Sequence, residues 1–394
     1  MTNPEIELSN LLSLVPTAAG QWRVDWQGVE GSVFGDYARR MAQTPQEREW
    51  HAEGDVWTHT KLVCEALASD GEFRALDPEW REIVFLAALA HDVGKIWRTK
   101  EEDGKLVSPG HARAGANEMR TFLWRELDLC GAPAKRNIRE AICGLIRAHT
   151  LPPYLTYEED WRRKLLKYAS LGELLPGFSY RCVDVLSRAD ILGRVASGQR
   201  EALDRVEFAA ELAREAGVYD APFAFDSPRS RFLYFDGRDV APELPAFDET
   251  WGEVVMTSGL AGVGKDTWIR ANMPDAPTIS LDAIRLELKA PHGEKEALVV
   301  ETAFSRAKDF LRAKTPFVWN ATSVTASTRQ KLENLVHRYS GSMRVVYLET
   351  SLATNLKRNA TRQARIPESA IYNQLERLEP PTLVEAERVE WIET

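Results

Sequence analysis

The sequence is poor in cysteine and has no long apolar run, and each absence excludes a class of protein. Its four cysteines, at positions 64, 130, 143 and 182, match no metal-binding spacing, so we interpret them as buried thiols in a reducing cytoplasm. No uncharged apolar run approaches the ~18 residues that a membrane span needs, and we expect no membrane partner. The first residues have neither a basic start nor an apolar stretch, so we expect no signal peptide.

Positive charge is also in short supply. Lysine and arginine number 50 against 59 aspartates and glutamates, a net charge of −9, so the surface as a whole does not attract polyanions. If nucleic acid is the substrate, local basic clefts must bind it, and its affinity should fall with salt. The length of 394 residues predicts roughly two or three domains.

A glycine-rich turn late in the chain is the strongest local signal. An apolar run at 254–258 leads into Gly259, Gly262, Gly264 and Lys265, and an amphipathic segment follows. This order predicts a strand, a phosphate-binding loop and a helix. The glycines let successive N–H groups point at phosphate oxygens, and the lysine can reach the outer phosphates. The sequence therefore predicts a site for ATP or another nucleoside triphosphate.

The residue after the lysine departs from the usual pattern. This position is normally a Ser or Thr that binds Mg²⁺, whereas here it is Asp266, followed by Thr267. A carboxylate beside a triphosphate is repelled unless a cation lies between them, so one of these residues should help to hold Mg²⁺, directly or through water. The pattern leaves the choice between them open.

The sequence pattern predicts helices through the first two-thirds of the chain. Apolar residues recur at helical spacing from Asp55 onward, with a single helical stretch predicted over 180–216, and repeated strand-like alternation is missing. We predict an all-α bundle there and an α/β domain with a parallel sheet at the end. A proline- and aspartate-rich connector separates them. The predicted domains are an extension packed on the bundle (1–48), the bundle (49–217), the linker (218–250) and the α/β domain (251–394).

Histidine is concentrated in the helical part. Five of the seven histidines are His51, His59, His91, His111 and His149. The His91-Asp92 pair ends an apolar helix, where an imidazole and a carboxylate can bind one cation. Lys95 projects from the same side and could meet a phosphate. A lone histidine is usually an ordinary core or surface residue, but four of these lie on or beside separate predicted helices, which favours a shared site.

An acidic residue lies within an otherwise apolar helix face near the end of the bundle. Asp190 is surrounded by apolar positions, and a buried carboxylate without a partner is costly. Arg194, one turn later, offers a simple salt bridge. We favour a metal ligand because the histidines need a carboxylate to complete a site.

At these residues the first domain resembles the HD phosphohydrolase superfamily. The order H…HD…D matches over about 50–200, and the segment 53–59 is similar to the HD segment of tRNA nucleotidyltransferases. The resemblance implies a phosphoester hydrolase with one or two divalent transition metal ions of the Mn, Co, Ni, Fe or Zn class. It implies His59, His91, Asp92 and Asp190 as ligands, His111 and His149 as the extra histidines of two-metal members, and Lys95 and Arg194 as catalytic contacts to substrate phosphate. The role of His51 stays open.

Polar residues follow the strands of the predicted α/β domain. Asp282 and Arg285 share a helix face, although Asp282 could simply cap the helix and Arg285 be solvated. Asn320 ends a buried strand, where open α/β sheets bind ligands. Arg358 and Arg362 lie on one basic helix face. We favour a mobile lid over a merely solvated face, because such arginines stabilise a transferring phosphoryl group.

These features together resemble the polynucleotide kinase branch of the P-loop phosphotransferases, over about 252–394. The resemblance implies Asp282 as the base that takes the proton of a 5′-hydroxyl, with Arg285 and Asn320 at the substrate. It implies Lys265, Arg358 and Arg362 at the ATP phosphates, with Mg²⁺ as cofactor.

The combination of both halves is similar to the bacterial HD-Pnk end-healing enzymes. The resemblance implies that one domain removes 2′,3′-cyclic phosphate or 2′- or 3′-phosphate and the other phosphorylates 5′-hydroxyl ends of RNA or DNA, giving ends for a downstream ligase. Two alternatives stay open: an HD nucleotide hydrolase fused to a small-molecule kinase, and an ATP-sensing module that controls an HD hydrolase.

Overall fold

The computed structural model describes residues 3–290, 295–361 and 365–394. They form two compact units, one of Met1–Leu129 and Pro133–Phe223 and the other of Cys130–Ala132 and Ala224–Thr394. Among the described residues, every helix is too short or too polar to traverse a bilayer.

The first unit is a helical bundle. Its helices are α1 (Pro4–Ser13), α2 (Trp26–Gly31), α3 (Gly35–Ala42), α4 (Val56–Ser69), α5 (Gly71–Ala75), α6 (Pro78–Ala90), α7 (Lys95–Arg98), α8 (His111–Arg125), α9 (Pro133–Ala148), α10 (Trp161–Ala169), α11 (Tyr180–Leu192) and α12 (Gln199–Glu215), with 3₁₀ turns at Pro152–Tyr157 and Ser170–Glu173. Helix α6 is central, because every residue from Ile83 to Ala90 is buried and the helix contacts α4, α9 and α11.

A small hairpin interrupts the helical pattern. Strands β1 (Lys100–Glu102) and β2 (Lys105–Val107) pair antiparallel. The turn between them is Asp103-Gly104, whose φ angles are 51° and 76°. Positive φ at both positions defines the tight turn that Asp-Gly favours between twisted strands. This dipeptide was the available signal, but three-residue strands are too short to show alternation.

The helical stretch predicted over 180–216 is divided in the structure. Helix α11 ends at Leu192, and α12 begins only at Gln199. At Gly193 the chain approaches α4 so closely that a Cβ atom would lie 2.7 Å from the backbone nitrogen of Val63. Only glycine permits this approach.

The second unit contains a five-stranded parallel sheet of order β4-β5-β3-β6-β7. Its strands are β3 (Glu253–Ser258), β4 (Thr278–Ser280), β5 (Val318–Asn320), β6 (Ser342–Glu349) and β7 (Arg388–Glu393). Its helices are α13 (Pro228–Phe235), α14 (Lys265–Asn272), α15 (Leu281–Glu287), α16 (Glu296–Arg312), α17 (Ala326–Arg338), α18 (Leu352–Thr361) and α19 (Glu368–Glu376). The predicted fold class, an all-α bundle followed by an α/β domain with a parallel sheet, is confirmed.

The glycine-rich loop joins the central strand β3 to α14. Gly259 has a φ of 137°, and a Cβ atom there would lie 2.3 Å from the carbonyl oxygen of Leu348. Gly262 and Gly264 also have positive φ. The loop conformation therefore depends on residues without side chains.

Within the predicted linker, the structure forms helix α13, which packs on the second unit. Arg231 is buried and donates hydrogen bonds to the carbonyl oxygens of Leu383 and Glu387 at 3.1 and 2.9 Å. The ring of Phe232 stacks on His337 at 4.0 Å between centroids. These contacts explain why residues from Ala224 onward belong to this unit.

A buried carboxylate on α17 gives the second unit a pH dependence. Burial and the nearby carboxylates of Glu385, Asp236 and Glu387 raise the pKa of Glu333 to about 8, from an ordinary value of 4.5. The folded state thus keeps a proton that the unfolded chain releases. Stability should fall as pH rises between these two values, by up to about 1.4 kcal/mol per pH unit for one proton.

We predict that Glu333→Gln removes this loss. Urea denaturation across pH should show the variant gaining stability relative to the unmodified protein as pH rises from about 4.5 to about 8. Glu301→Gln, which removes an exposed carboxylate of α16, controls for the loss of one charge. Parallel stability curves for Glu333→Gln and the unmodified protein would contradict the prediction.

Candidate functional site

Four predicted ligands meet inside the helical bundle. His59 lies on α4, His91 and Asp92 follow α6, and Asp190 lies on α11. The Nε2 atom of His59 is 3.0 Å from Asp190 Oδ1, and the Nε2 atom of His91 is 3.4 Å from Asp92 Oδ2 and 3.8 Å from Asp190 Oδ1. All four residues are at most 2% exposed.

The two further histidines join this cluster from α8 and the end of α9. The Nε2 atoms of His111 and His149 lie 3.3 and 3.9 Å from Asp92 Oδ1. In His91, His111 and His149 the Nδ1 atom lies 2.7, 2.9 and 2.6 Å from the carbonyl oxygen three residues earlier. A neutral imidazole that donates from Nδ1 has its lone pair on Nε2. Three rings are thus oriented with their acceptor nitrogens toward Asp92.

His59 is oriented by a carboxylate instead. Glu53 Oε1 lies 3.0 Å from Nδ1 of His59 and 2.8 Å from Nδ1 of His51. Glu53 Oε2 accepts a hydrogen bond from the backbone N–H of Val195 at 2.9 Å. Its side chain is only 3% exposed. Glu53 therefore places a buried carboxylate behind the ring that faces Asp190, an arrangement that is common for metal-binding histidines.

Both predicted phosphate contacts pair with the buried carboxylates. The ammonium of Lys95 lies 2.7 Å from Asp92 Oδ2 and donates to Oε1 of Gln46 at 2.7 Å. Arg194 donates to Asp190 Oδ2 at 2.6 Å. The salt bridge weighed in the sequence analysis is thus present, and it is compatible with a metal site because the other oxygen of Asp190 faces His59.

In the second unit, the glycine-rich loop borders a pocket of about 1060 Å³. Predicted residues that line it are Gly262, Gly264, Lys265, Asp266, Thr267, Asp282, Arg285, Asn320 and Arg358. Gly259 is not among the lining residues, and Arg362 lies outside the described residues. Lys265 donates to the carbonyl oxygens of Gly259 and Leu260 at 3.1 and 2.9 Å, so its ammonium lies over its own loop.

Arg358 reaches the glycine-rich loop from α18. Its guanidinium donates to the carbonyl oxygen of Val263 and to Oγ1 of Thr394, both at 3.1 Å. The arginine thus brings positive charge to the pocket wall, beside the position where a phosphate group would contact the loop.

Asp282 and Arg285 form an ion pair in this pocket. Arg285 lies 2.9 Å from Asp282 Oδ1 and also pairs with Glu296 at 2.6 Å. Ser280, rather than Asp282, caps α15, because its hydroxyl accepts the N–H of Ala283. The capping alternative for Asp282 is therefore wrong, and the side chain, 61% exposed, is open to the pocket.

Two protein-family models match separate parts of the chain. Residues 55–176 match the family model described as an HD domain, and residues 254–381 match the one described as an AAA domain. The chain joins an HD domain to a P-loop kinase-like domain. No curated protein matches it.

The donor set of the HD domain fits a divalent metal ion. His59, His91 and Asp190 form one group, and His91, Asp92 and His149 form another, each with ligand atoms within 4.8 Å of one another. Among the described residues, Nε2 of His91 and Oδ1 of Asp92 are buried without a hydrogen-bond partner. Mixed imidazole and carboxylate ligands suit first-row transition metals, and two overlapping groups could hold one ion or two.

Electrostatics holds His149, Asp92 and Asp190 in their binding forms. For His59, burial opposes the charged ring, but Asp190 and Glu53 outweigh it and raise the pKa above its usual value. Burial and the neighbouring imidazoles of His91 and His111 lower the pKa of His149 to about 3, so the ring is neutral near neutral pH. Burial opposes ionisation of Asp92, but the Lys95 ammonium outweighs it and holds the pKa of this carboxyl well below its usual range. Arg194 does the same for the pKa of Asp190.

Sequence reasoning did not assign a role to three residues in these sites. Glu53 and Gln46 precede the HD motif, and only their closeness to His51 hinted at them. In the kinase-like domain, Gln374 on α19 accepts the N–H of Ala261 in the loop at 2.9 Å. These residues are 113 positions apart, so no local pattern could reveal the contact.

We predict that Glu53→Gln weakens metal binding about 10- to 100-fold. An amide oxygen can accept from one histidine, but the amide nitrogen cannot accept the N–H of Val195. Calorimetric titration of the chelator-treated full chain with Mn²⁺ measures the effect. Glu49→Gln is the matched control, because it removes a half-exposed carboxylate that pairs with Lys105. Equal affinities for Glu53→Gln and the unmodified protein would contradict the prediction.

Proposed function

We propose that this protein repairs nucleic acid strands whose broken ends carry a 2′,3′-cyclic phosphate and a 5′-hydroxyl. The HD domain hydrolyses the phosphate at the 3′ side, and the kinase-like domain transfers the γ-phosphate of ATP or another nucleoside triphosphate to the 5′-hydroxyl. The products are the 3′-hydroxyl and 5′-phosphate that a ligase joins.

The observation that carries this proposal is the shared pocket of the kinase-like domain. An open carboxylate, Asp282, and its partner Arg285 line the same pocket as Lys265 and the glycine-rich loop. A kinase for polymer ends needs a base at the attacking hydroxyl and a cation for the phosphate beside it. The two residues supply this pair on one helix.

In the kinase reaction, each residue acts on a defined atom. Asp282 accepts the proton of the 5′-hydroxyl, and the oxygen of that hydroxyl bonds to the γ-phosphorus. The bond from this phosphorus to the β–γ bridging oxygen breaks at the same time. Arg285, which pairs with Asp282 at 2.9 Å, contacts the adjacent strand phosphate. Lys265 and Arg358 exchange their carbonyl partners for phosphate oxygens and neutralise the developing charge.

In the HD domain, the proposed ligands are His59, His91, Asp92 and Asp190, with His111 and His149 available for a second ion. A divalent metal ion held by these residues would lower the pKa of a water molecule and neutralise charge on the phosphoryl oxygens. Lys95 and Arg194 lie beside Asp92 and Asp190, where their charge can also attract the substrate phosphate. These contacts suit hydrolysis of a terminal or cyclic phosphate ester.

Two variants separate the proposed activities. An oligonucleotide with both damaged ends is incubated with γ-labelled ATP, Mg²⁺ and Mn²⁺. We expect Lys265→Ala to lower 5′ phosphorylation by about 100-fold or more while 3′ dephosphorylation persists. Asp92→Ala should do the reverse, so each variant controls for the folding of the other. Transfer of label to mononucleosides but not to the oligonucleotide would instead indicate a small-molecule kinase.

Asp282→Asn tests the base. The amide preserves the size of the side chain but cannot take the proton, so 5′ phosphorylation should fall by about 100- to 10,000-fold. Binding of ATP, measured by calorimetry, should persist. Unchanged phosphorylation would remove Asp282 from the mechanism. Absence of phosphorylated product from the unmodified protein, despite ATP binding, would favour an ATP-sensing module.

A further inference from the structure

The glycine-rich loop carries a negative charge where a neutral hydroxyl is usual. Asp266 directly follows Lys265 at the start of α14 and lines the pocket. It shares the lining of this pocket with Gly262, Gly264 and Lys265. Without a cation between them, a carboxylate and a triphosphate repel each other.

Hydrogen bonds from the sheet hold the carboxylate of Asp266 in a fixed orientation. Asn320, at the end of β5, donates a hydrogen bond from Nδ2 to Asp266 Oδ1 at 2.6 Å. The hydroxyl of Thr257, on the buried strand β3, donates to Oδ1 of Asn320 at 3.3 Å. This chain of contacts links two central strands of the sheet to one oxygen of Asp266. The amide also fixes which carboxylate oxygen faces away from the strand.

The second oxygen of Asp266 has no hydrogen-bond or ion-pair partner among the described residues. Asn320 occupies only Oδ1. The hydroxyl of Thr267, the other candidate cation ligand, accepts a hydrogen bond from Arg270 at 3.3 Å, and this guanidinium would repel a second cation at the same oxygen. Asp266 is thus the better-placed residue, with an oriented anionic oxygen in the pocket.

We infer that Asp266 makes nucleotide binding depend on a divalent cation. The pocket binds the complex of triphosphate and Mg²⁺ and rejects the free triphosphate, because only a cation can lie between the carboxylate and the phosphates. A neutral hydroxyl at this position would help to bind the cation without opposing the free nucleotide. The inference rests on the proposed function only in taking this pocket as the site of the phosphate donor.

Binding, rather than catalysis, tests the inference. Calorimetry of the full chain compares the affinity for ATP in Mg²⁺ with that in EDTA. We expect a ratio of about 100-fold or more for the unmodified protein, since a carboxylate a few ångströms from a triphosphate faces several like charges at once. Asp266→Ser and Asp266→Asn should bring the ratio down to about tenfold by improving the affinity for free ATP.

Two controls accompany these variants. Asp275→Ser removes an exposed carboxylate that does not line the pocket, and it should leave the ratio unchanged. Thr267→Val removes the rival hydroxyl and is the comparison that separates the two candidate ligands. A fall in the ratio with Thr267→Val but not with Asp266→Ser would assign the cation to Thr267.

The outcomes distinguish this inference from the proposed function. Equal affinity of the unmodified protein for ATP in Mg²⁺ and EDTA overturns the inference, even if the kinase reaction proceeds. The same ratio in Asp266→Ser and the unmodified protein also overturns it. Failure to bind ATP under either condition overturns the assignment of the pocket, and the inference falls with it.

Discussion

The helical unit is organised around two buried carboxylates that need positive or hydrogen-bonding neighbours on every side. Asp92 and Asp190 are at most 2% exposed, and an ionised carboxylate so far from water is stable only among such partners. Lys95 and Arg194 satisfy one side of each. On the other side, histidines from separate helices converge. Among the described residues, Asp92 Oδ1 and His91 Nε2 are left without hydrogen-bond partners, and a bound cation would satisfy both.

The kinase-like domain depends on a different constraint, the shape of its backbone. Gly259 lies against the carbonyl oxygen of Leu348, where no side chain fits. This contact lets the loop turn from β3 into α14. Polar residues at the ends of neighbouring strands then complete the wall. The HD domain therefore builds its site from buried side chains. The kinase-like domain builds its site from a loop backbone and the side chains around it.

The sequence predicted the features that local patterns encode. The glycine-rich loop, the His91-Asp92 pair and the run of apolar strands each follow from spacing within a short window. The fold class followed from them. The break at Gly193 was missed because it is caused by the approach of α4, which helical periodicity does not report. The β1–β2 hairpin was missed because its strands are only three residues long.

Contacts between distant residues account for most of what the sequence could not show. Glu53 bonds the N–H of Val195, 142 positions away, and Asn320 bonds Asp266 across 54 positions. Such pairs depend on how helices and strands pack. Their residue types, a carboxylate and an amide, are also common at the surface of proteins. Glu53 was therefore given no role, while Asn320 and Asp266 were each predicted at the nucleotide site but not as partners.

Helix α13 has a consequence for how the chain can be dissected. Arg231 anchors it through backbone carbonyls of the C-terminal segment, and Phe232 covers His337. A recombinant fragment that starts at the first strand, β3, would leave these carbonyls and that ring face bare. A soluble, isolated kinase-like fragment should therefore start upstream of Pro228, so that it retains helix α13 and the contacts that this helix makes.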